Sequence, residues 1–240
     1  MLKIEHLTKT YGDKVAVDDL SLHIQPGEIF GFIGHNGAGK TTTIRCCCGL
    51  QPFDSGRIAV KDISIQNDPI ACKRVLAYIP DNPDLYEFMS GIQYLNFIAD
   101  IFGVPADIRA ARIEHYAEQF EIRDDLAQPI RAYSHGMKQK LALISAMVHE
   151  PKLLILDEPF VGLDPKAAVV MKTMMRDLCA RGGAVFFSTH VLEVAEKLCN
   201  KVAIIKDGLL VASGDMDEIV KDGESLESIF MEVVDDAERS

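Results

Sequence analysis

The stretch Gly34-His35-Asn36-Gly37-Ala38-Gly39-Lys40-Thr41-Thr42 spaces its residues as G-x-x-x-x-G-K-[ST], and Leu153-Leu154-Ile155-Leu156-Asp157-Glu158 ends four apolar residues on two adjacent carboxylates. The first pattern suits phosphate. Glycines let the backbone turn so that successive N–H groups face phosphate oxygens, and a following helix adds its positive N-terminal end. In such a loop Lys40 reaches the β- and γ-phosphates and the Thr41 hydroxyl binds Mg²⁺. The context agrees, because Glu28 to Ile33 reads as a buried strand and Thr42 to Leu50 as a helix. A chance glycine-rich turn seldom sets Lys-Thr directly before a helix, so the chain is read as binding a nucleoside triphosphate.

The second pattern supplies what hydrolysis needs. A parallel strand buried on both faces requires an apolar run, and open α/β sheets place their ligands at the C-terminal ends of strands. Asp157 would hold the Mg²⁺ shell through water, and Glu158 would polarise the attacking water. Alone, the pair would be two solvated acids; the upstream phosphate loop changes the reading. Tyr11, followed by Gly12, could stack on a purine base with Val17 beside it, although a turn tyrosine over a hydrophobic edge leaves the same pattern. Ser134 is an N-cap candidate, and Gly136 would let phosphate approach that helix N-terminus, where a plain cap serves equally well. Asp164, in Gly162-Leu163-Asp164-Pro165, reads locally as a turn at a helix start. His190, after Ser188-Thr189, reads as a surface histidine or a γ-phosphate sensor.

These residues need a frame. Leu2 to Thr8 alternates as a strand, and Lys14 to Ile24 carries two apolar runs broken by Asp18-Asp19. Gly56 to Val60 and Val75 to Ile79 read as strands. From Leu85 to about His149 the period becomes helical, with segments around Ile92 to Phe102, Ile108 to Phe120 and Met137 to Val148. Strand candidates then return at Leu153 to Leu156, Ala184 to Phe187 and Val202 to Ile205, with helices between, and two short amphipathic helices close the chain around Glu218 and Leu226. The expected parts are a nucleotide-binding core over 1–84 and 150–214, a helical subdomain over 85–149 and an acidic tail over 215–240.

Composition narrows the class. The 240 residues are 48% hydrophobic, ample for a core, and no apolar run approaches the roughly 18 residues that span a bilayer. With no basic region and apolar core at the N-terminus, the expected location is the cytosol. Of the net charge of −11, the tail from Asp215 onward holds ten acidic residues against two basic ones, leaving −3 for the rest. No basic stripe offers itself to nucleic acid. Cys46, Cys47 and Cys48 are consecutive and no C-x-x-C occurs, so the six cysteines read as buried thiols.

Taken in order, Tyr11, the Walker A loop Gly34 to Thr42, a signature at Ser134-His135-Gly136, Walker B at Asp157-Glu158, a D-loop around Asp164 and a switch His190 resemble the nucleotide-binding subunit of an ATP-binding cassette (ABC) transporter. The resemblance covers nearly the whole chain. It implies an α/β P-loop NTPase core with an N-terminal antiparallel β subdomain and an inserted α-helical subdomain, ATP and Mg²⁺ as ligands, and a head-to-tail dimer with a second, identical or sister, nucleotide-binding subunit. Ser134 and Gly136 would then contact the partner's nucleotide, Asp164 would communicate across the dimer, and a separate permease would hold the chain at the inner face of the membrane. The short acidic tail looks more like that of an export subunit.

Two motifs depart from the family pattern. Tyr133, His135 and Met137 replace the first, third and fifth residues of Leu-Ser-Gly-Gly-Gln, while Ser134 and Gly136 are kept. The Q-loop glutamine is replaced by Asp81, whose shorter reach and acceptor-only chemistry still suit Mg²⁺. Asn82 to Met89 follows, mixing turn residues with bulky apolar ones at the place where the resemblance puts permease docking; ordinary core packing is the competing reading. Two other classes compete with a transporter subunit: a soluble ABC-type ATPase in DNA maintenance or translation, and a P-loop GTPase or kinase. The chain lacks the heptad arrays of the first and the Asn-Lys-x-Asp sequence of the second.

Overall fold

The computed structural model describes residues 1–220 and 224–239, with side chains through 232; residues 221–223 and 240 of the acidic tail lie outside the described residues. Alternating burial along Leu2–Tyr11 (β1) and Lys14–Ile24 (β2) gives two half-buried strands that pair antiparallel. The two apolar runs expected between Lys14 and Ile24 are one strand, because an irregularity in the pairing absorbs Asp18-Asp19, with Asp19 at φ 47°. Ser55–Val60 (β4) pairs with the other edge of β1, and Ile63–Ser64 (β5) completes a four-stranded antiparallel sheet of order β2-β1-β4-β5.

A second sheet has the order β10-β9-β3-β8-β7-β6. Its parallel strands are Ile29–Ile33 (β3), Leu76–Ile79 (β6), Leu153–Asp157 (β7), Ala184–Thr189 (β8) and Lys201–Lys206 (β9), and Leu209–Asp215 (β10) returns antiparallel. Burial is continuous along β3, β7 and β8, as it must be where both faces are covered. The N-terminal antiparallel sheet and the parallel core are those of the expected fold class.

Lys40–Cys47 (α1) starts two residues earlier than its periodicity suggests, directly after Gly39, which places Lys40 and Thr41 in the first turn. Pro69–Val75 (α2) was not legible; Asp68 Oδ1 caps it by accepting from Ala71 N at 3.0 Å. Gly91–Ile101 (α3) opens on a capping box between Ser90 and Gln93, Ala106–Gln119 (α4) follows Pro105, and Ser134 caps His135–Val148 (α5). Pro165–Ala180 (α6) and Leu192–Leu198 (α7) lie between the last parallel strands. Met216–Ile219 (α8) and Leu226–Arg239 (α9) form the tail; α9 is longer than expected, and its fully buried Leu226 donates its N–H to Glu196 Oε2 at 2.9 Å.

Two cores flank the parallel sheet. On one face, Phe30, Phe32, Phe186 and Ile44 pack with the small sheet. On the other, Leu141, Ile144 and Met147 of α5 join Leu154, Leu156 and Phe187, so the inserted helices share a core with the sheet. All six cysteines are buried free thiols.

Candidate functional site

The phosphate loop links the end of β3 to the start of α1, and its shape depends on close approach. Gly39 sits at φ 110°, and a Cβ there would lie 2.5 Å from the Ala16 carbonyl oxygen, so only glycine fits. Gly208 N donates to Ala38 O at 2.9 Å and Asp18 N to Gly208 O at 2.9 Å, tying the loop and β2 to the β9–β10 turn. Lys40 is buried at 6% exposure and curls back, donating from Nζ to Gly34 O at 2.6 Å and His35 O at 3.2 Å.

The carboxylates reach the same place from the end of β7. The register that sets Asp157 beside Ser188 lets the Ser188 hydroxyl donate to Asp157 Oδ1 at 2.5 Å while accepting from Glu158 N at 3.0 Å. Glu158 holds φ 46°, a left-handed conformation that costs a non-glycine residue about 1 kcal/mol or more. That turn aims its side chain at the loop. Glu158 Oε1 is shielded from solvent and, apart from an ion pair with Lys40 Nζ at 3.3 Å, unpartnered. Glu158 Oε2 faces His190 Nδ1 at 2.9 Å, the geometry of an Nδ1–H donated to a carboxylate, and accepts from His190 N at 3.3 Å.

A cavity of about 500 Å³ gathers Tyr11, His35, Asn36, Gly37, Gly39, Lys40, Thr41, Thr42, Asp81, Asp157 and Glu158, with Lys14 and Ala16. Tyr11 is half-exposed at its mouth, with Lys9 Nζ 5.2 Å from the ring centroid. Val17 is not there. It is fully buried in the core, and Ala16 takes the place beside Tyr11, because consecutive strand residues point to opposite faces. Gly34 and Ala38 shape the loop from behind, where a Cβ on Gly34 would meet Ile205 O at 2.5 Å. Among the described residues no three His, Cys, Asp or Glu side chains could hold an ion by themselves. The oxygens that line the cavity at Thr41, Asp157 and Asp81 nevertheless suit Mg²⁺, which commonly takes one or two carboxylates and completes its shell with substrate phosphates and water.

Ser134, Gly136 and Asp164 do not line this cavity. They form a second cluster, where the first turn of α5 meets the turn before α6. A Cβ on Gly162, at φ 80°, would lie 2.6 Å from His135 Cδ2, and one on Gly136 would lie 3.2 Å from Gly162 O. Ser134 Oγ accepts from Met137 N at 3.2 Å, and Asp164 Oδ1 from Ala167 N at 2.8 Å. The Lys140 ammonium, 2.7 Å from Asp164 Oδ2, together with the Ala167 N–H holds the Asp164 carboxyl below its usual range. Sequence reasoning missed Ser188, Lys140, Lys14 and Ala16. Ser188 and Lys140 matter only through strand register and helix packing, which no linear spacing announces.

The ABC transporter family model matches residues 17–161. The chain is 37% identical over 213 residues to the ABC transporter ATP-binding protein YhcH of Bacillus subtilis (strain 168), covering 88% of this chain and 68% of that one. It is 34% identical over 213 residues to the Nod factor export ATP-binding protein I of Burkholderia pseudomallei (strain 1710b), covering 89% and 70%. Its fold superposes on a solved ATP-binding subunit of an ABC transporter with a TM-score of 0.93 at 32% identity, covering 98% of this chain and 99% of the other. With a phosphate loop and paired carboxylates lining one cavity, and His190 held against Glu158 beside it, the chain belongs to the ABC transporter family as an ATP-binding subunit that hydrolyses ATP.

Proposed function

We propose that this chain is the motor of an exporter, closing head to tail with a second nucleotide-binding subunit, a copy of itself or a sister cassette, and driving a separate membrane permease. The observation that carries this reading is the division of the site. The cavity holds the loop, the carboxylates and Tyr11, whereas Ser134, Gly136 and Asp164 lie together outside it, free to meet the nucleotide of another subunit.

In each cavity, Tyr11 and Ala16 would receive the base, and the amides of residues 34–42 and Lys40 would hold the phosphates. Mg²⁺, held by Thr41, Asp157 and Asp81, would offset the negative charge of the β- and γ-phosphates. Glu158 would take a proton from the attacking water as the water oxygen bonds to the γ-phosphorus, and the separate bond from the γ-phosphorus to the β–γ bridging oxygen would break, that oxygen leaving with ADP. His190 orients Glu158 through the 2.9 Å contact.

The working parts are taken as a core over 1–84 and 150–214, a helical subdomain over 85–149 and a tail over 215–240. Docking of the permease is supported by a groove of about 300 Å³ lined by Leu50, Leu76, Tyr94, Ile98, Phe102 and His149. Tyr86, whose ring lies 6.1 Å from that of Tyr94 between centroids, is exposed, and Phe88, two residues on, is 91% exposed, an aromatic cost that a partner would relieve. No described helix is long and apolar enough to cross a membrane, so a peripheral place on the inner face of the membrane depends on that partner. Similarity to a Nod factor export subunit favours export.

Hydrolysis by the purified chain over a range of protein concentrations tests the dimer, with Glu158→Gln as control. Activity rising faster than linearly and vanishing in the control is the expected result. Linear activity that survives in the control would mean that one subunit suffices and that Glu158 is not the base.

A further inference from the structure

The loop that bears Phe88 is stitched to the segment that leads into Ser134. Ile130 N donates to Met89 O at 2.9 Å and Arg131 N to Glu87 O at 3.0 Å, so the residues on either side of Phe88 are held by backbone while its own ring faces solvent. The loop is closed on itself by Met89 N donating to Tyr86 O at 3.0 Å. Glu87 and Phe88 are the central pair of this turn, and Glu87 Oε1 meets Lys138 Nζ at 2.6 Å. Lys138 lies one helical turn beyond Ser134, and its own N–H donates to Ser134 O at 3.0 Å.

A fully exposed aromatic tip is thus joined to the capping turn of α5 by two backbone hydrogen bonds and one ion pair. Few atoms separate them. The Lys138 side chain is 24% exposed and that of Glu87 54%, so the pair is partly open to solvent and its coupling is carried together with the two backbone hydrogen bonds. A displacement of the Ser134 turn would be carried along the helix axis to Lys138, and from its ammonium to Glu87.

We propose that Glu87 and Lys138 form a strap that couples occupancy at the Ser134 turn to the position of the Phe88 loop, both acting as positioning residues and neither touching nucleotide. The inference rests on the reading of Ser134 as a contact for a second subunit's ATP. Linkage makes the coupling reciprocal: a membrane partner seated on Phe88 favours the Ser134 turn that binds ATP, and ATP at that turn readies the loop for the partner.

Hydrogen exchange followed by mass spectrometry on the full chain tests it, in a Glu158→Gln background that keeps MgATP intact. Binding should slow exchange in residues 34–42, and also in 86–92 and 129–133 by about fivefold or more. Adding Lys138→Met should abolish the slowing in 86–92 and leave that in 34–42. Reversing the pair, Glu87→Lys with Lys138→Glu, should restore it, which a merely structural role for Lys138 would not. Slowing in 86–92 that persists in Lys138→Met, or that is absent in the parent while 34–42 responds, overturns the strap. No response in 34–42 would overturn the nucleotide reading beneath it.

Discussion

The ammonium of Lys40 lies 3.3 Å from Glu158 Oε1, so the residue that would grip phosphate and the residue that would activate water offset each other's charge. Both are well buried, with side-chain exposures of 6% and 14%. Two charges withdrawn from water tolerate each other's presence better than either's loss. His190 completes the arrangement by holding the second oxygen of Glu158. An entering γ-phosphate would take Lys40 over and release Glu158 Oε1 to a water molecule, which ties the freeing of the base to the presence of substrate.

A double-substitution cycle checks this pairing. Lys40→Met should lower ATP affinity about tenfold or more, since a charge-assisted phosphate contact is worth roughly 1.5–3 kcal/mol. It should also lower thermal stability, because it strands a buried carboxylate. Adding Glu158→Gln should recover most of that stability and none of the affinity. Equal melting temperatures for the single and double variants would deny the coupling.

The legible and the hidden parts divide along physical lines. Residues 34–42, Asp157 and Glu158 could be read because loop, lysine and strand-end acids are set by chain chemistry within a few neighbours. The uninterrupted apolar runs at β3, β7 and β8 announced a sheet covered on both faces. The edge elements were not announced: β5 has two residues, and β10 is only partly buried along its length. Val17 was misplaced because alternation predicts two faces without saying which one meets the ligand. The Ser188 hydroxyl, shared between Asp157 and the Glu158 amide, follows from the pairing of two strands about thirty residues apart.

Asp81 offers the clearest test of a departure from the family pattern. It follows β6 and lines the same cavity as Thr41 and Asp157. As a carboxylate it can serve Mg²⁺ but cannot donate a hydrogen bond. Asp81→Ala should therefore raise the Mg²⁺ concentration needed for half-maximal hydrolysis by about fivefold, roughly 1 kcal/mol, a modest loss for one carboxylate in a shell otherwise made of phosphate and water. Asp81→Asn, keeping the size and one acceptor oxygen, should fall between the two. An unchanged Mg²⁺ profile in both variants would remove Asp81 from the metal's surroundings.

His149 carries a pH dependence that involves no catalytic group. It ends α5 with its ring stacked on Phe102 at 3.7 Å between centroids, and both ring nitrogens are shielded and unpartnered. Burial pulls its pKa down from 6.5 to about 4, outweighing the nearby backbone of Leu76 and Ser145, with the positive Arg112 adding a smaller push the same way. Between those two values the unfolded chain binds a proton that the folded chain refuses. Folding stability therefore falls as pH drops from about 6.5 to about 4, by roughly 3 kcal/mol at 1.36 kcal/mol per unit. His149→Phe keeps an aromatic ring against Phe102 and removes the titration. Its melting temperature should lose less than that of the parent chain between pH 7 and pH 4.5, and the two should differ most at the acid end. Parallel curves would show that the histidine finds a proton partner in the fold, and that the acid sensitivity comes from the carboxylates instead.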